Sequence, residues 1–103
     1  MSQRTRVQPE IIREPLPKTE LEPLYRVIIH NDDVTPMDFV THILTRIFCV
    51  SEPDSVKIMF TAHYSGAAYV QTLPKTEAQN RIGKAHFAAG LEGYPLHFTM
   101  EPE

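Results

Sequence analysis

The sequence predicts an α+β fold: one small domain with the element order β-α-α-β-α-β, in which a three-stranded antiparallel sheet packs against three helices. Three short runs are rich in β-branched and aromatic residues, and three longer segments repeat apolar residues at helical spacing. The length of 103 residues suits a single hydrophobic core. Because three strands form only a small sheet, its stability must come from helices packed on one face.

The first strand and the first helix are predicted from adjacent motifs. The run LYRVIIH at 24–30 has the composition of a strand. The motif TPMD at 35–38 is typical of a helix start, with Thr35 as N-cap and Asp38 closing a capping box. The apolar residues of this helix share one face: Phe39, Val40, Ile43, Leu44, Ile47 and Phe48.

The second helix is predicted to begin after Ser51, because the motif SEPD at 51–54 repeats the cap pattern. Gly66 is a natural helix stop, and AAYVQTL at 67–73 has the composition of a second strand. The helix carries these residues at helical spacing: Val56, Met59, Phe60 and His63.

A third helix is predicted over about 75–91 and a third strand over 95–101. The strand alternates, with Leu96, Phe98 and Met100 turned inward. The helix places small and aliphatic residues on one face: Ala78, Ile82, Ala85 and Ala89.

The chain divides into a flexible N-terminal extension at 1–23 and a core domain at 24–103. The extension holds four of the nine prolines and only scattered apolar residues. It therefore has too little apolar surface to offset the entropy cost of ordering.

Composition narrows the function. A net charge of −3 argues against a nucleic-acid partner, which usually requires clustered basic residues. A single cysteine excludes an internal disulfide and fits a reducing compartment. No apolar run approaches the roughly 20 residues that span a membrane, and the N-terminus lacks a secretory signal. These features predict a cytoplasmic protein with no membrane partner.

The adjacent acids Asp32 and Asp33 allow several interpretations. At a strand-to-helix junction, such residues are most often turn and cap residues. A calcium loop would need a glycine and a glutamate that are missing here. A transition-metal site would use His30 or His63 with the acids, but no metal-binding motif supports it. Cys49 is predicted within an apolar helix face without a neighbouring base, which argues against a catalytic cysteine. We therefore expect that the protein is not an enzyme and that it holds no metal or cofactor.

Convergence of three chain segments offers another interpretation. If both early helices pack on one side of the sheet, the end of the first strand meets the start of helix one and the end of helix two. A lone histidine such as His63 is usually a core or rim residue. Here it would join polar residues beside an apolar hollow, which suits a ligand with a bulky apolar side chain next to a cation. The polar residues are Asn31, Asp32, Asp33 and His63, and the hollow is lined by Met37, Val40, Met59 and Ala62.

Three segments carry a family resemblance. YRVIIHNDDVTPMDFV, IMFTAHYSG and GYPLHFTMEPE, in this order and spacing, closely resemble the ClpS family of bacterial adaptors for Clp proteolysis. The resemblance covers about Leu24 to Glu103. It implies a monomeric adaptor that binds proteins beginning with Phe, Tyr, Trp or Leu, called N-degron substrates. It also implies delivery to a hexameric Clp AAA+ unfoldase, ClpA-like or ClpC-like, with its peptidase.

The resemblance also implies residue roles. Asn31, Asp33 and His63 would hydrogen-bond the substrate α-amino group, with Asp32 adding negative field. Thr35 would contact the peptide backbone, and Met37 would screen out β-branched side chains. The extension at 1–23 would reach into the unfoldase. The side-chain pocket would consist of Met37, Val40, Met59, Ala62 and Leu96, and helix three would dock on the unfoldase through Thr76, Glu77 and Arg81.

Two departures from the family pattern leave alternatives open. Ala62 stands where a larger aliphatic residue is common, which implies a wider pocket that favours aromatic side chains. Thr76 stands where many relatives have a docking glutamate. The chain could therefore be a regulator of the unfoldase with lost or narrowed substrate recognition. Two further alternatives are a metal-dependent protein using His30, Asp32, Asp33 and His63, and a recognition domain of a ubiquitin ligase.

Overall fold

A computed structural model describes residues 22–103. Its elements are β1 (Leu24–His30), α1 (Met37–Arg46), α2 (Glu52–Ser65), β2 (Ala67–Pro74), α3 (Lys75–Glu92) and β3 (His97–Pro102). This order confirms the predicted fold class. The predicted flexible extension at 1–23 lies, apart from Glu22 and Pro23, outside the described residues.

The sheet has the strand order β2-β1-β3 and is antiparallel throughout. The central strand β1 buries Val27 and Ile29 on one face, as the alternation of a half-buried strand requires. Ile29 is paired with Phe98 of β3 and with Ala68 of β2, and both partners are buried. The inner face of the sheet is therefore continuous across all three strands.

The core lies between this inner face and the helices. Ala78, Ala85 and Ala89 of α3 are buried, and their small side chains let the helix approach the sheet closely. Phe48 and Phe98 stack with ring centroids 4.9 Å apart, an arrangement that stabilises the fold beyond the burial of the two rings. Within residues 22–103, no helix is long and apolar enough to cross a membrane.

The predicted limits of the first helix are wrong at both ends. The helix begins at Met37 with Pro36 as N-cap, and no side chain caps it. Thr35 was expected there, but its hydroxyl donates to the Asp32 carboxylate instead. At the other end the helix stops at Arg46, and Phe48 reaches the core from the following turn.

Cys49 does not lie on a helix face. It follows α1 in a left-handed conformation, with φ of 57°, and its thiol is exposed. The apolar periodicity continued past Arg46 because Ile47 and Phe48 still face the core from the turn. The apolar periodicity therefore identified Ile47 and Phe48 correctly as residues that face the core, but it overestimated the length of the helix.

Both predicted ends of α2 are confirmed. The Ser51 hydroxyl accepts from the backbone N–H of Asp54 at 3.3 Å, which satisfies one of the free donors of the first turn. At the other end, Gly66 adopts a φ of 93° and donates its N–H to the Ala62 carbonyl at 2.8 Å. A residue with a Cβ is strained in that conformation, so glycine is required there.

The start of α3 is capped from far away in the sequence. Its own N-cap, Pro74, supplies no side-chain hydrogen bond. The Glu22 carboxylate accepts from both the backbone N–H and the hydroxyl of Thr76, each at 2.7 Å. The Pro23 carbonyl accepts from the N–H of Lys75 at 3.0 Å. A carboxylate at a helix N-terminus is favourable, so this contact fixes the point where the chain enters the domain.

His86 of α3 joins the helix to the edge of the sheet. Its Nε2 accepts the backbone N–H of Phe98 at 3.0 Å, and its ring stacks on His97 with centroids 5.4 Å apart. Burial, and after it the charge of the neighbouring His97, lowers the pKa of His86 below the ordinary value of 6.5. The fold therefore favours the neutral imidazole, which is the form that can accept.

The first prediction concerns this histidine. Because its pKa is lower in the folded state, the unfolded chain binds the proton first as pH falls through the region below 6.5. We expect the free energy of unfolding to drop by up to about 1 kcal/mol between about pH 7.5 and pH 5, the net value of one hydrogen bond. Urea denaturation measures it.

The matched variants are His86→Gln and His42→Gln. Glutamine offers the Phe98 N–H an acceptor that does not titrate, so His86→Gln should flatten the pH dependence relative to the unmodified chain. His42 is exposed on α1, and its replacement should leave the slope as it was. An equal slope in all three proteins would contradict the assignment.

Candidate functional site

A cavity of about 310 Å³ opens where β1 ends, between the start of α1 and the end of α2. This volume lies at the small end of the range for ligand pockets, roughly 300–1,000 Å³, and suits one side chain rather than a large cofactor. Its lining contains every residue predicted for the amino-group, peptide-backbone and side-chain sites: Asn31, Asp32, Asp33, Thr35, Met37, Val40, Met59, Ala62, His63 and Leu96.

One backbone hydrogen bond explains why these residues meet. The N–H of Asn31, the first residue after β1, donates to the Gly66 carbonyl at 2.9 Å. This bond ties the exit of the central strand to the end of α2, and it brings Asn31 and His63 to the same rim. The end of β1, the start of α1 and the end of α2 therefore meet at one place, as the interpretation of the sequence required.

Asp32 holds the loop between β1 and α1. One carboxylate oxygen accepts from the N–H groups of Val34 at 2.8 Å and Thr35 at 2.7 Å, and the other accepts from the Thr35 hydroxyl at 2.9 Å. Burial raises the pKa of this carboxyl, but the hydrogen bonds from Thr35 and Val34 outweigh it, so the pKa lies below its ordinary value. Asp32 has the turn geometry that its position suggested.

Thr35 acquires a definite polarity from this contact. Its hydroxyl hydrogen points to the Asp32 carboxylate, so the lone pairs of the oxygen are left for another donor. Thr35 lines the cavity, and its oxygen is therefore suited to accept an N–H from a ligand backbone.

The remaining polar side chains of the rim are free. No group among residues 22–103 forms a hydrogen bond with the side-chain amide of Asn31, the Asp33 carboxylate or the His63 ring nitrogens. All three residues are exposed. The described part of the chain also contains no cluster of three or more potential metal ligands. The rim thus presents unused acceptors, among them the Asp33 carboxylate, to whatever enters the cavity.

The interior of the cavity is apolar. Met59, Ala62 and Leu96 are buried and form walls held by the core, whereas Met37 is exposed at the mouth. Ala62 contributes only a methyl group to the wall. The walls come from α1, α2 and the approach to β3, so their positions are set by rigid elements.

Four lining residues were not predicted as site residues: Ile29, His30, Val34 and Pro36. The Nε2 of His30 forms a hydrogen bond of 2.8 Å with the Thr99 hydroxyl on the neighbouring strand. Its position directly before Asn31 could have indicated that it lies near the cavity. Because side chains alternate along β1 and Ile29 faces the core, the His30 side chain lies on the opposite face of the sheet. The metal-site interpretation was the only one that used His30, and here it bonds within the sheet.

Comparison with known proteins identifies the family. Residues 20–99 match the family model described as ATP-dependent Clp protease adaptor protein ClpS. The chain belongs to the ClpS family. This confirms the resemblance noted from the sequence.

Individual ClpS relatives match over most of their length. The adapter protein ClpS 2 of Mesorhizobium japonicum is 42% identical over 99 residues, covering 92% of this chain and 98% of the relative. ClpS 1 of Bradyrhizobium diazoefficiens is 43% identical over 86 residues, covering 84% and 85%. The structure of Agrobacterium tumefaciens ClpS2 bound to L-phenylalaninamide aligns with a TM-score of 0.75 and 40% identity, covering 79% of this chain and 98% of that one.

The three residues predicted to dock on the unfoldase lie in the first half of α3, and none lines the ClpS cavity. Thr76 is bonded to Glu22, and Glu77 forms an ion pair of 2.8 Å with Arg81. Arg81 also donates to the Phe48 carbonyl at 3.2 Å. Thr76 and Arg81 therefore bond to distant parts of the chain, whereas the contact of Glu77 stays within α3.

The second prediction concerns Asp32. Asp32→Ala should lower the free energy of unfolding by about 1–2 kcal/mol, because three donors lose their acceptor on a partly exposed loop. Asp32→Asn should cost less, since an amide oxygen can still accept the two backbone N–H groups. Because the folded pKa is lowered, the advantage of Asp over Asn should be present at neutral pH and shrink as pH falls below about 4.

Urea denaturation at neutral and acidic pH measures these differences. Asp33→Asn is the matched control, because no group within residues 22–103 bonds to that carboxylate, and it should stay within about 0.5 kcal/mol of the unmodified chain. Equal losses at both positions would show that the loop does not depend on Asp32.

Proposed function

We propose that this ClpS protein binds proteins with a bulky hydrophobic N-terminal residue and a free α-amino group, and delivers them to a Clp AAA+ unfoldase. The observation that carries the proposal is the unused acceptor set of Asn31, Asp33 and His63 at the mouth of an apolar cavity sized for one side chain. An amino-terminal residue has the complementary parts: a cation with donors, and next to it a side chain.

The chemistry of an α-amine fits the rim. With a pKa of about 7.7–8.0, it is mostly a cation with three donors at neutral pH. Its removal from water is costly unless each donor finds an acceptor. Charge-assisted hydrogen bonds contribute roughly 1.5–3 kcal/mol each, whereas an acetylated terminus lacks both the charge and the donors. His63 can accept a hydrogen bond through a ring nitrogen that carries no proton.

The apolar walls set the choice of side chain. Burial of a Phe or Leu side chain contributes roughly 1.5–3 kcal/mol. The space beside Ala62 favours the planar rings of Phe, Tyr and Trp over the branched side chain of Leu. Met37 at the mouth would exclude β-branched residues. The Agrobacterium relative supports this assignment, because its ligand L-phenylalaninamide carries a free α-amine and a phenyl ring.

Delivery needs a second surface. We place the docking surface for a hexameric unfoldase, ClpA-like or ClpC-like, on the first half of α3, with Thr76, Glu77 and Arg81. Its separation from the cavity supports this, because an adaptor must hold substrate and unfoldase at once. The extension at 1–23 would engage the unfoldase from the same end of the domain, since Glu22 bonds to Thr76. We propose that the adaptor acts as a cytoplasmic monomer.

The third prediction tests recognition. A fluorescent decapeptide that starts with free Phe should bind with micromolar or better affinity, near −8 kcal/mol, and its acetylated form and a Val-initiated form should bind at least about tenfold more weakly. Asp33→Asn should lower the affinity for the free Phe peptide by about tenfold or more, because it removes the negative charge that faces the amine. Fluorescence anisotropy measures all of these affinities.

Asp38→Asn is the control, because this acid of α1 is exposed and lies outside the cavity lining. Equal binding of all three peptides, or none, would refute N-terminal recognition. The chain would then be better described as a regulator of the unfoldase.

The fourth prediction tests docking. Arg81→Gln keeps a donor for the Phe48 carbonyl but removes the charge, so it should weaken binding to the N-terminal domain of a Clp unfoldase while peptide affinity stays the same. Surface plasmon resonance measures unfoldase binding, and anisotropy measures peptide binding. Lys84→Gln, an exposed cation further along α3, is the matched control. If Arg81→Gln binds the unfoldase like the unmodified protein, α3 is not the docking surface.

A further inference from the structure

Helix α2 carries a ridge of exposed apolar side chains. Val56, Phe60 and Tyr64 follow at intervals of four residues, which places them on one face, and they are 36%, 42% and 79% exposed. The rings of Phe60 and Tyr64 stack with centroids 6.2 Å apart. A contiguous apolar surface of this kind on a soluble domain indicates an interaction site.

The ridge continues from the rim of the cavity. The Tyr64 ring packs edge-on against the His63 ring, with centroids 5.0 Å apart, and His63 lines the cavity. Neither Phe60 nor Tyr64 contributes to the cavity itself. An apolar surface that begins at the mouth of a pocket is accessible to the residues that follow the bound one.

The distances match the length of a peptide. If the α-amine binds beside His63, each further residue advances the chain by at most about 3.3–3.6 Å. The Tyr64 ring, 5.0 Å from the His63 ring, is then within reach of the side chain of the second residue, and the Phe60 ring, 6.2 Å from the Tyr64 ring, is within reach of the side chain of the third. The cavity selects the first side chain, and the ridge is the next apolar surface that the peptide meets.

We propose that Phe60 and Tyr64 form a second subsite, which binds an apolar or aromatic side chain at the second or third position of the N-degron. This rests on the proposed function of the cavity. Two exposed aromatic rings favour large apolar side chains over glycine, and they disfavour acidic residues because ring faces carry negative partial charge. The subsite adds preference among proteins that already begin with an accepted first residue.

The experiment compares two decapeptides that start with free Phe and differ only at positions two and three, Leu-Leu in one and Gly-Gly in the other. Competition by L-phenylalaninamide, which has no second residue, reports on the cavity alone. We expect the unmodified chain to bind the Leu-Leu peptide about three- to tenfold more tightly, the range of one aromatic contact. Tyr64→Ala and Phe60→Ala should each bring this ratio toward one.

The control is Phe87→Ala, which removes a ring 69% exposed on α3 and should keep the full ratio. The ratio is the readout because a general weakening through His63 would lower both peptides equally and cancel. A ratio near one in the unmodified chain, or a ratio that survives Tyr64→Ala and Phe60→Ala, would overturn the second subsite while L-phenylalaninamide still binds. If L-phenylalaninamide does not bind either, the function proposed for the cavity fails and the subsite with it.

Discussion

The site depends on the Asp32 carboxylate, which holds the loop that leaves the central strand and enters α1. Three donors of Val34 and Thr35 converge on this group, and no side chain among residues 22–103 caps the helix that follows. Because Asp32 is occupied inside the loop, its neighbour Asp33 faces the cavity with its carboxylate unused. Two adjacent residues of one chemical type are thereby divided into a structural acid and an acid that is available to a ligand.

Two other residues of the rim also use one group to hold the fold and leave another group available to a ligand. Asn31 gives its N–H to the Gly66 carbonyl and keeps its side-chain amide free, and Thr35 gives its hydrogen to Asp32 and keeps its lone pairs free. The backbone of the loop is already fixed by the Asp32 contacts and by the Asn31–Gly66 hydrogen bond, so binding has to order only the side chains of the rim. Preorganisation of this kind lowers the entropy cost of binding, which matters for a site that recognises a single residue.

The sequence predicted most elements because local signals agreed with burial. Ser51 and Gly66 marked the ends of α2, and the alternation in β3 marked its core face. Thr35 misled because a nearby carboxylate competed for its hydroxyl, which cap patterns do not consider. The carboxylate of Glu22 at the start of α3 and the contact of His86 with β3 join residues far apart in sequence. Most polar and apolar members of the cavity were predictable once both helices were placed on one side of the sheet, whereas Thr35 and Leu96 followed only from the family resemblance. The ridge on α2 was not predicted, because Val56 and Phe60 share the helical spacing of the buried Met59 and the periodicity does not distinguish exposed from buried apolar residues.

The contact of His86 with the backbone of Phe98 also bears on aggregation. β3 is an edge strand, and its unpaired N–H groups are a template on which another extended chain can add as a strand. His86 occupies one of these donors, and Pro74 and Pro102 end the two edge strands with residues that have no N–H to offer. These edges therefore discourage the addition of another extended chain as a fourth strand. Under the proposed function, a bound protein would be held by its first residues and not by main-chain pairing with the sheet.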